Sequence, residues 1–132
     1  MDAIDNLLAK WQPAALSLFR FITGLLMFQY GVAKIFKFPV VPMFADLPPL
    51  IVTAGTIELV FGALLMIGLF TRIAAFILSG EMAFAYFMGH FPKSFFPLLN
   101  NGTAAILFCF ACLYLSTAGG GPWSVDAMMR KK

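Results

Sequence analysis

Long apolar runs dominate the chain, and the residues that interrupt them are few and regularly placed. From Pro13 to about Phe36 the strongly polar residues are only Arg20, Gln29 and Lys34. At 1.5 Å per residue this stretch reaches roughly 36 Å, enough for a tilted membrane span, and Pro13 suits its first turn. Residues 38–49 contain Pro39, Pro42, Pro48 and Pro49, which break helices and mark a loop. A second span is predicted over 50–70. Thr71 and Arg72 leave almost no connection, so a third span over 72–90 returns as its antiparallel hairpin partner. The Pro-bounded, aromatic segment 91–97 is expected to fold onto the membrane interface. A fourth span follows over 98–117, and Gly119-Gly120-Gly121-Pro122 ends it. Ahead of them all, residues 1–12 place Ile4, Leu7, Leu8 and Trp11 at helical spacing, opposite Asp2, Asp5, Asn6 and Lys10. That pattern predicts a short helix lying in the interface. The fold class expected is therefore an all-α membrane protein: a four-transmembrane-helix bundle with a short N-terminal interfacial helix. It forms a single membrane domain over 1–132, without internal repeats.

Composition agrees with lipid as the solvent. Of the 132 residues 61% are hydrophobic and 11% charged, against roughly 25% charged in soluble domains. Sixteen Phe and eight Met exceed what a core of this size can hide, so apolar surface must face acyl chains. The net charge of +3 is scattered, with a cluster only at Arg130, Lys131 and Lys132, which argues against a nucleic-acid partner. Asp2 and Asp5 stand where a signal peptide would be basic, and no small-residue cleavage site follows the first apolar run, so that span is expected to stay. With four spans both termini share one side. That side would hold Lys10, Arg72, Arg130, Lys131 and Lys132, against Lys34, Lys37 and Lys93 opposite, which favours cytoplasmic termini. Trp11 and Trp123 fit headgroup-level anchors.

Arg20, Glu58 and Glu81 fall well inside spans one to three, where a charge costs about 2.5 kcal/mol or more. They must pair or face water. Their similar depth predicts an intramembrane cluster in which Arg20 pairs with Glu58 or Glu81. Two acids and one base leave a carboxyl uncompensated, so one of the two glutamates is expected to keep its proton at neutral pH. Arg20, Gly24, Met27, Gly31 and Lys34 share one face of span one, and Gly55, Glu58 and Gly62 one face of span two. Glycines on those faces let backbones approach, so both should point inward. The competing reading of the cluster is that it fixes helix register alone.

A second polar set, Gln29, Tyr30, Lys34, His90, Lys93, Asn100 and Asn101, gathers by topology near the opposite interface and could line a mouth. His90 is the only histidine, and a lone His at a span end reads first as an interfacial hydrogen-bonding residue. One His and two Cys on different elements predict no metal and no haem. Cys109 and Cys112 form a Cys-x-x-Cys, but within an apolar helix, where the thiolate is not stabilised and disulfide geometry is disfavoured. Structural packing is the expectation there.

Four passages, which together span nearly the whole chain, carry a family resemblance. They are Arg20-x-x-x-Gly24 leading to Gly31-x-x-Lys34, and Glu58-x-x-x-Gly62 leading to Gly68-Leu69-Phe70-Thr71-Arg72. The third is Ala85-Tyr86-Phe87-x-x-His90-x-Pro92-Lys93 with Phe95-Phe96-Pro97-Leu98-x-Asn100, and the fourth Gly121-Pro122-Trp123-Ser124-Val125-Asp126. In their order and spacing these passages resemble the bacterial DoxX family, and the resemblance implies a four-helix bundle in the bacterial inner membrane. It also implies kinship with membrane subunits linked to thiosulfate:quinone oxidoreductase and with proteins of redox and thiol-stress complexes. Two positions depart from the family pattern: Gln29-Tyr30-Gly31 stands where many relatives have His-Gly, and Thr103 follows Asn101-Gly102 where Glu is common. Both changes remove titratable groups and shift weight to Arg20, Glu58 and Glu81.

The function expected is a membrane subunit of a quinone-linked redox system. An aromatic interior would hold a quinone, and the charged cluster would handle its proton or carbonyl oxygen. No intrinsic cofactor is encoded, so electrons would come from a soluble or membrane redox partner or from the quinone itself. The alternatives are a non-catalytic anchor that recruits a soluble redox enzyme through its loops and basic tail, and a small-solute carrier, for which four helices are few unless the protein forms a homo-oligomer.

Overall fold

The computed structural model of the protein describes residues 2–42 and 46–130, so Met1, residues 43–45 of the proline loop, and Lys131 and Lys132 of the basic tail lie outside the described residues. Helix α1 (Asp2–Lys10) has Asp2 and Asp5 in its first turn and Lys10 in its last, which complements the helix dipole. Ile4, Leu7, Leu8 and Trp11 are all exposed, leaving an apolar stripe for the membrane interface. Helix α2 (Gln12–Phe36) has Pro13 in its first turn and stops at Lys37, whose φ of 60° is left-handed. Helix α3 (Pro49–Ile67) starts directly after Pro48.

Gly68 ends α3 with φ +75°. Its N–H donates to the carbonyls of Leu64 and Leu65, and that of Leu69 donates to Leu64. This glycine cap, which only a residue without Cβ adopts cheaply, reverses the chain into α4 (Thr71–Ala85) within three residues. The helical path then continues through a π turn (Tyr86–His90) and a 3-10 turn (Phe91–Lys93). Two short helices flank the last long one: α5 (Pro97–Asn100), α6 (Thr103–Ala118) and α7 (Val125–Arg130).

Three expectations need correction. Residues 91–93 continue the helical path instead of opening a loop, because Pro92 is tolerated in a first turn. The fourth span is broken at Asn101, left-handed with φ 60°, so that α5 is separated from α6. The tail after Gly121 coils into α7, where only an interfacial anchor was expected.

Three helical runs, 12–36, 49–67 and 71–93, are long and apolar enough to cross a membrane; α6 is apolar but has 16 residues, about 24 Å of helix. Helix α2 lies along α3 and α4 along α6, α3 joins the two pairs, and α2 meets α6 only slightly. A Cβ on Gly24 would fall 2.6 Å from the backbone nitrogen of Met66, and one on Gly62 would fall 2.8 Å from that of Phe28. The inward faces predicted for α2 and α3 are therefore the ones in contact, backbone against backbone. Met27, Leu65, Leu78, Cys112 and Leu115 fill the centre, while Phe76, Phe84, Leu107 and Phe110 are exposed on the outside. A soluble domain would not tolerate such a belt; a bilayer requires it.

Candidate functional site

The buried ion pair of the bundle is Lys34 with Glu58. Glycines place it: Lys34 is the last charged residue of α2, and Gly55, one turn before Glu58 on α3, leaves room for the lysine stem, since a Cβ there would lie 2.8 Å from that of Lys34. The ammonium turns inward along that groove and donates to both carboxylate oxygens of Glu58, at 2.9 and 3.2 Å. Glu58 is 1% exposed and the lysine side chain 13%, so the pair is sealed on the glutamate side and opens past Tyr30, whose ring lies 5.8 Å below the ammonium. Tyr30 meets Phe108 of α6 edge-on at 6.3 Å across the sparse α2–α6 seam. From α4, Glu81 reaches the same place: its carboxyl interacts with Glu58 and Lys34, and its Oε1 is buried with no hydrogen-bond partner among the described residues. Two carboxyls and one ammonium from three helices thus meet inside the apolar bundle.

Arg20 does not join them. The guanidinium points to the end of the bundle where α2 begins and the tail passes, donating to the carbonyls of Gly120 (2.6 Å), Trp123 (3.1 Å) and Met66 (3.2 Å). Three backbone dipoles hold the cation, and the carboxylate that attracts it is Asp126 of the tail, not a glutamate. The expected Arg20–glutamate pair is corrected accordingly. Ser17, one turn earlier, accepts from the N–H of Trp123 at 3.1 Å. Asp126 of α7 completes this clasp by capping α4: its oxygens accept from the N–H groups of Phe70 (2.8 Å) and Thr71 (2.9 Å). Burial raises the Asp126 carboxyl, but these hydrogen bonds outweigh it and hold the group below its ordinary range.

The second predicted set divides. Tyr30 and Lys34 belong to the glutamate cluster, while Gln29, Lys93 and Asn101 are exposed. His90 and Asn100 form a knot at the end of α4. The His90 Nδ1 lies 2.9 Å from the carbonyl oxygen of Asn100. The buried Asn100 amide donates to Tyr86 (3.2 Å) and to the Ser94 carbonyl (2.9 Å), and its Oδ1 accepts from Gly102. The π turn stacks Tyr86 and His90 with ring centres 6.3 Å apart, aiming both at Asn100. Every polar atom of the Asn100 side chain is engaged in shaping the chain break. Cys109 and Cys112 are free thiols packed in the α4–α6 interface, with Ser79 donating to the Cys109 carbonyl at 2.8 Å.

Against known proteins, the DoxX family model matches residues 15–91, more than half of the chain and all but the first three residues of the α2–α4 frame that carries Lys34, Glu58 and Glu81. The chain belongs to the DoxX family. It is also 38% identical over 133 residues to an uncharacterized protein of Haemophilus influenzae, covering 96% of this chain and 99% of that one. No solved structure matches significantly. As a DoxX protein the chain is a membrane protein whose outer surface contacts lipid, and the charged triad lies on the three helices that define the family match.

The residues missed in the sequence are Ser17, Thr71 and Asp126 of the tail clasp, and Lys34 as the partner of Glu58. Lys34 carried a usable signal, since it shares the inward face of α2 with Gly24 and Gly31, and its stem of four carbons can carry the charge deeper than its Cα.

Proposed function

We propose that this DoxX protein is a membrane subunit of a quinone-linked redox system in the bacterial inner membrane, with its termini in the cytoplasm, and that Lys34, Glu58 and Glu81 bind the quinone head. The observation that carries the reading is the unpaired Oε1 of Glu81 beside the Lys34–Glu58 pair. A buried polar atom without a partner is costly unless something else engages it. The site's chemistry fits a quinone: the Lys34 ammonium supplies positive charge beside a carbonyl oxygen, Glu81 a carboxyl for its proton, and Tyr30 and Phe108 an aromatic edge for the ring. Charge balance supports it too, because two carboxyls beside one ammonium leave one able to hold and pass a proton. In this reading Lys34 orients the head, Glu58 fixes Lys34, and Glu81 exchanges protons. Reduction to the quinol takes two electrons and two protons; a partner oxidoreductase supplies the electrons.

The test is titration of the protein in lipid nanodiscs with a short-chain ubiquinone, followed by quenching of its tyrosine and tryptophan fluorescence. Saturable binding that weakens at least tenfold in Glu81→Gln supports the proposal. Linear partitioning alike in wild type and variant refutes it.

A second reading, a scaffold that recruits a soluble redox enzyme, is favoured by one feature: Phe95 and Phe96 are exposed between the helical turns, next to exposed Leu98. Under that reading Phe95→Ser abolishes partner recovery while Glu81→Gln leaves it intact.

A further inference from the structure

We infer that the hollow between the start of α4 and the tail segment joining α6 to α7 binds the phosphate of an anionic phospholipid headgroup. This site lies at the opposite end of the bundle from the Tyr86–His90–Asn100 knot and is independent of the quinone reading. The hollow has a volume of about 150 Å³, and Thr71, Arg72, Gly119, Gly120, Asp126 and Arg130 line it. A liquid water occupies about 30 Å³, so there is room for a phosphate group.

Its charge is positive where a ligand would enter. Arg72 and Arg130 face a single acid, Asp126, and both oxygens of that acid already accept the N–H groups that open α4. Among the described residues Arg72 has neither a hydrogen bond nor an ion pair. Its guanidinium lies over Gly119, where a Cβ would stand 3.2 Å from Nη2. A Cβ on Gly120 would stand 2.8 Å from the Thr71 hydroxyl oxygen. Side chains at either glycine would fill the cradle. The Thr71 hydroxyl is buried beside Asp126, whose carboxylate holds it by a side-chain hydrogen bond. Two guanidiniums around an open cradle are a donor set for phosphate oxygens.

The rim decides between a lipid and free phosphate. Phe70 and Ile73, 57% and 65% exposed, flank the hollow on its outer side. They continue the apolar belt, so a headgroup in the cradle would lay its acyl chains along them.

Native mass spectrometry of the full-length protein in zwitterionic detergent tests this with three probes: phosphatidylglycerol, phosphatidylcholine and inorganic phosphate. One phosphatidylglycerol should bind at least tenfold more tightly than phosphatidylcholine. Arg72→Gln and Arg130→Gln should each reduce that preference several-fold, and Lys10→Gln, on α1 and not part of the hollow's lining, should not. Should Arg72→Gln fail to fold, Arg130→Gln, exposed on the last turn of α7, carries the test. Equal retention of both lipids, unchanged preference in Arg130→Gln, or inorganic phosphate binding as tightly as phosphatidylglycerol would overturn the inference, the last by making the site one for free phosphate.

Discussion

Lys34 Nζ stands 2.9 Å from Oε1 of Glu58, and this contact ties α2 to α3 inside an otherwise apolar bundle. A buried pair contributes little net stability against an apolar replacement, yet removing one partner leaves the other stranded. Lys34→Met should therefore destabilise the protein by about 3 kcal/mol, and the double variant Lys34→Met, Glu58→Leu should recover most of the loss. Thermal unfolding of the single and double variants in one detergent measures the coupling. An additive double variant would mean that the two side chains act independently.

Arg20 fastens the tail, not the glutamates. Hydrogen bonds to a charged group contribute about 1.5–3 kcal/mol each at most, and Arg20 donates three. Arg20→Gln should release residues 119–130, seen as faster proteolysis near Trp123 and faster amide exchange, while the Lys34–Glu58 coupling stays unchanged. Arg20→Lys should rescue poorly, because one ammonium cannot span carbonyls from both α3 and the tail.

Much of the architecture was legible in hydropathy and glycine spacing: the first three spans and the inward faces of α2 and α3. Arg20 was misread for a physical reason. Its partners are backbone carbonyls, which every residue carries, so no residue identity marks them, and the conformation that presents them comes from glycines outside any helical period. Lys34 was assigned to the wrong cluster because its Cα lies near the end of α2 while its charge lies a side-chain length deeper. The break before α6 was visible as Asn101-Gly102, a turn dipeptide, but the apolar residues on both sides masked it.

Two glycines separate packing from propensity. Gly62→Val should prevent close approach of α2 and α3, costing several kcal/mol or abolishing folding, since even a Cβ would clash with the backbone of Phe28. Gly80→Ala, where nothing lies within 4 Å of the added carbon, should be neutral or stabilising by up to about 1 kcal/mol. Melting temperatures of the two variants check the contrast.

The α4 cap should be acid-sensitive. Asp126 is held below its ordinary value of 3.8, so the folded state binds this proton less readily than the unfolded state. Its contribution is complete above that ordinary value and is lost as pH falls through the lower folded one. The protection of the Phe70 and Thr71 amides, taken relative to their intrinsic exchange at each pH, should fall below about pH 4, and Asp126→Asn should show the low protection already at neutral pH.

The most direct test of the proposed quinone site is mass spectrometry of organic extracts from gently purified protein, comparing wild type with Glu58→Gln and Glu81→Gln variants that fold. About one quinone should accompany each wild-type chain and be lost from Glu81→Gln while phospholipid content stays constant. Phospholipid alone in every sample would contradict it, and would leave Lys34, Glu58 and Glu81 as a device that holds three helices in register.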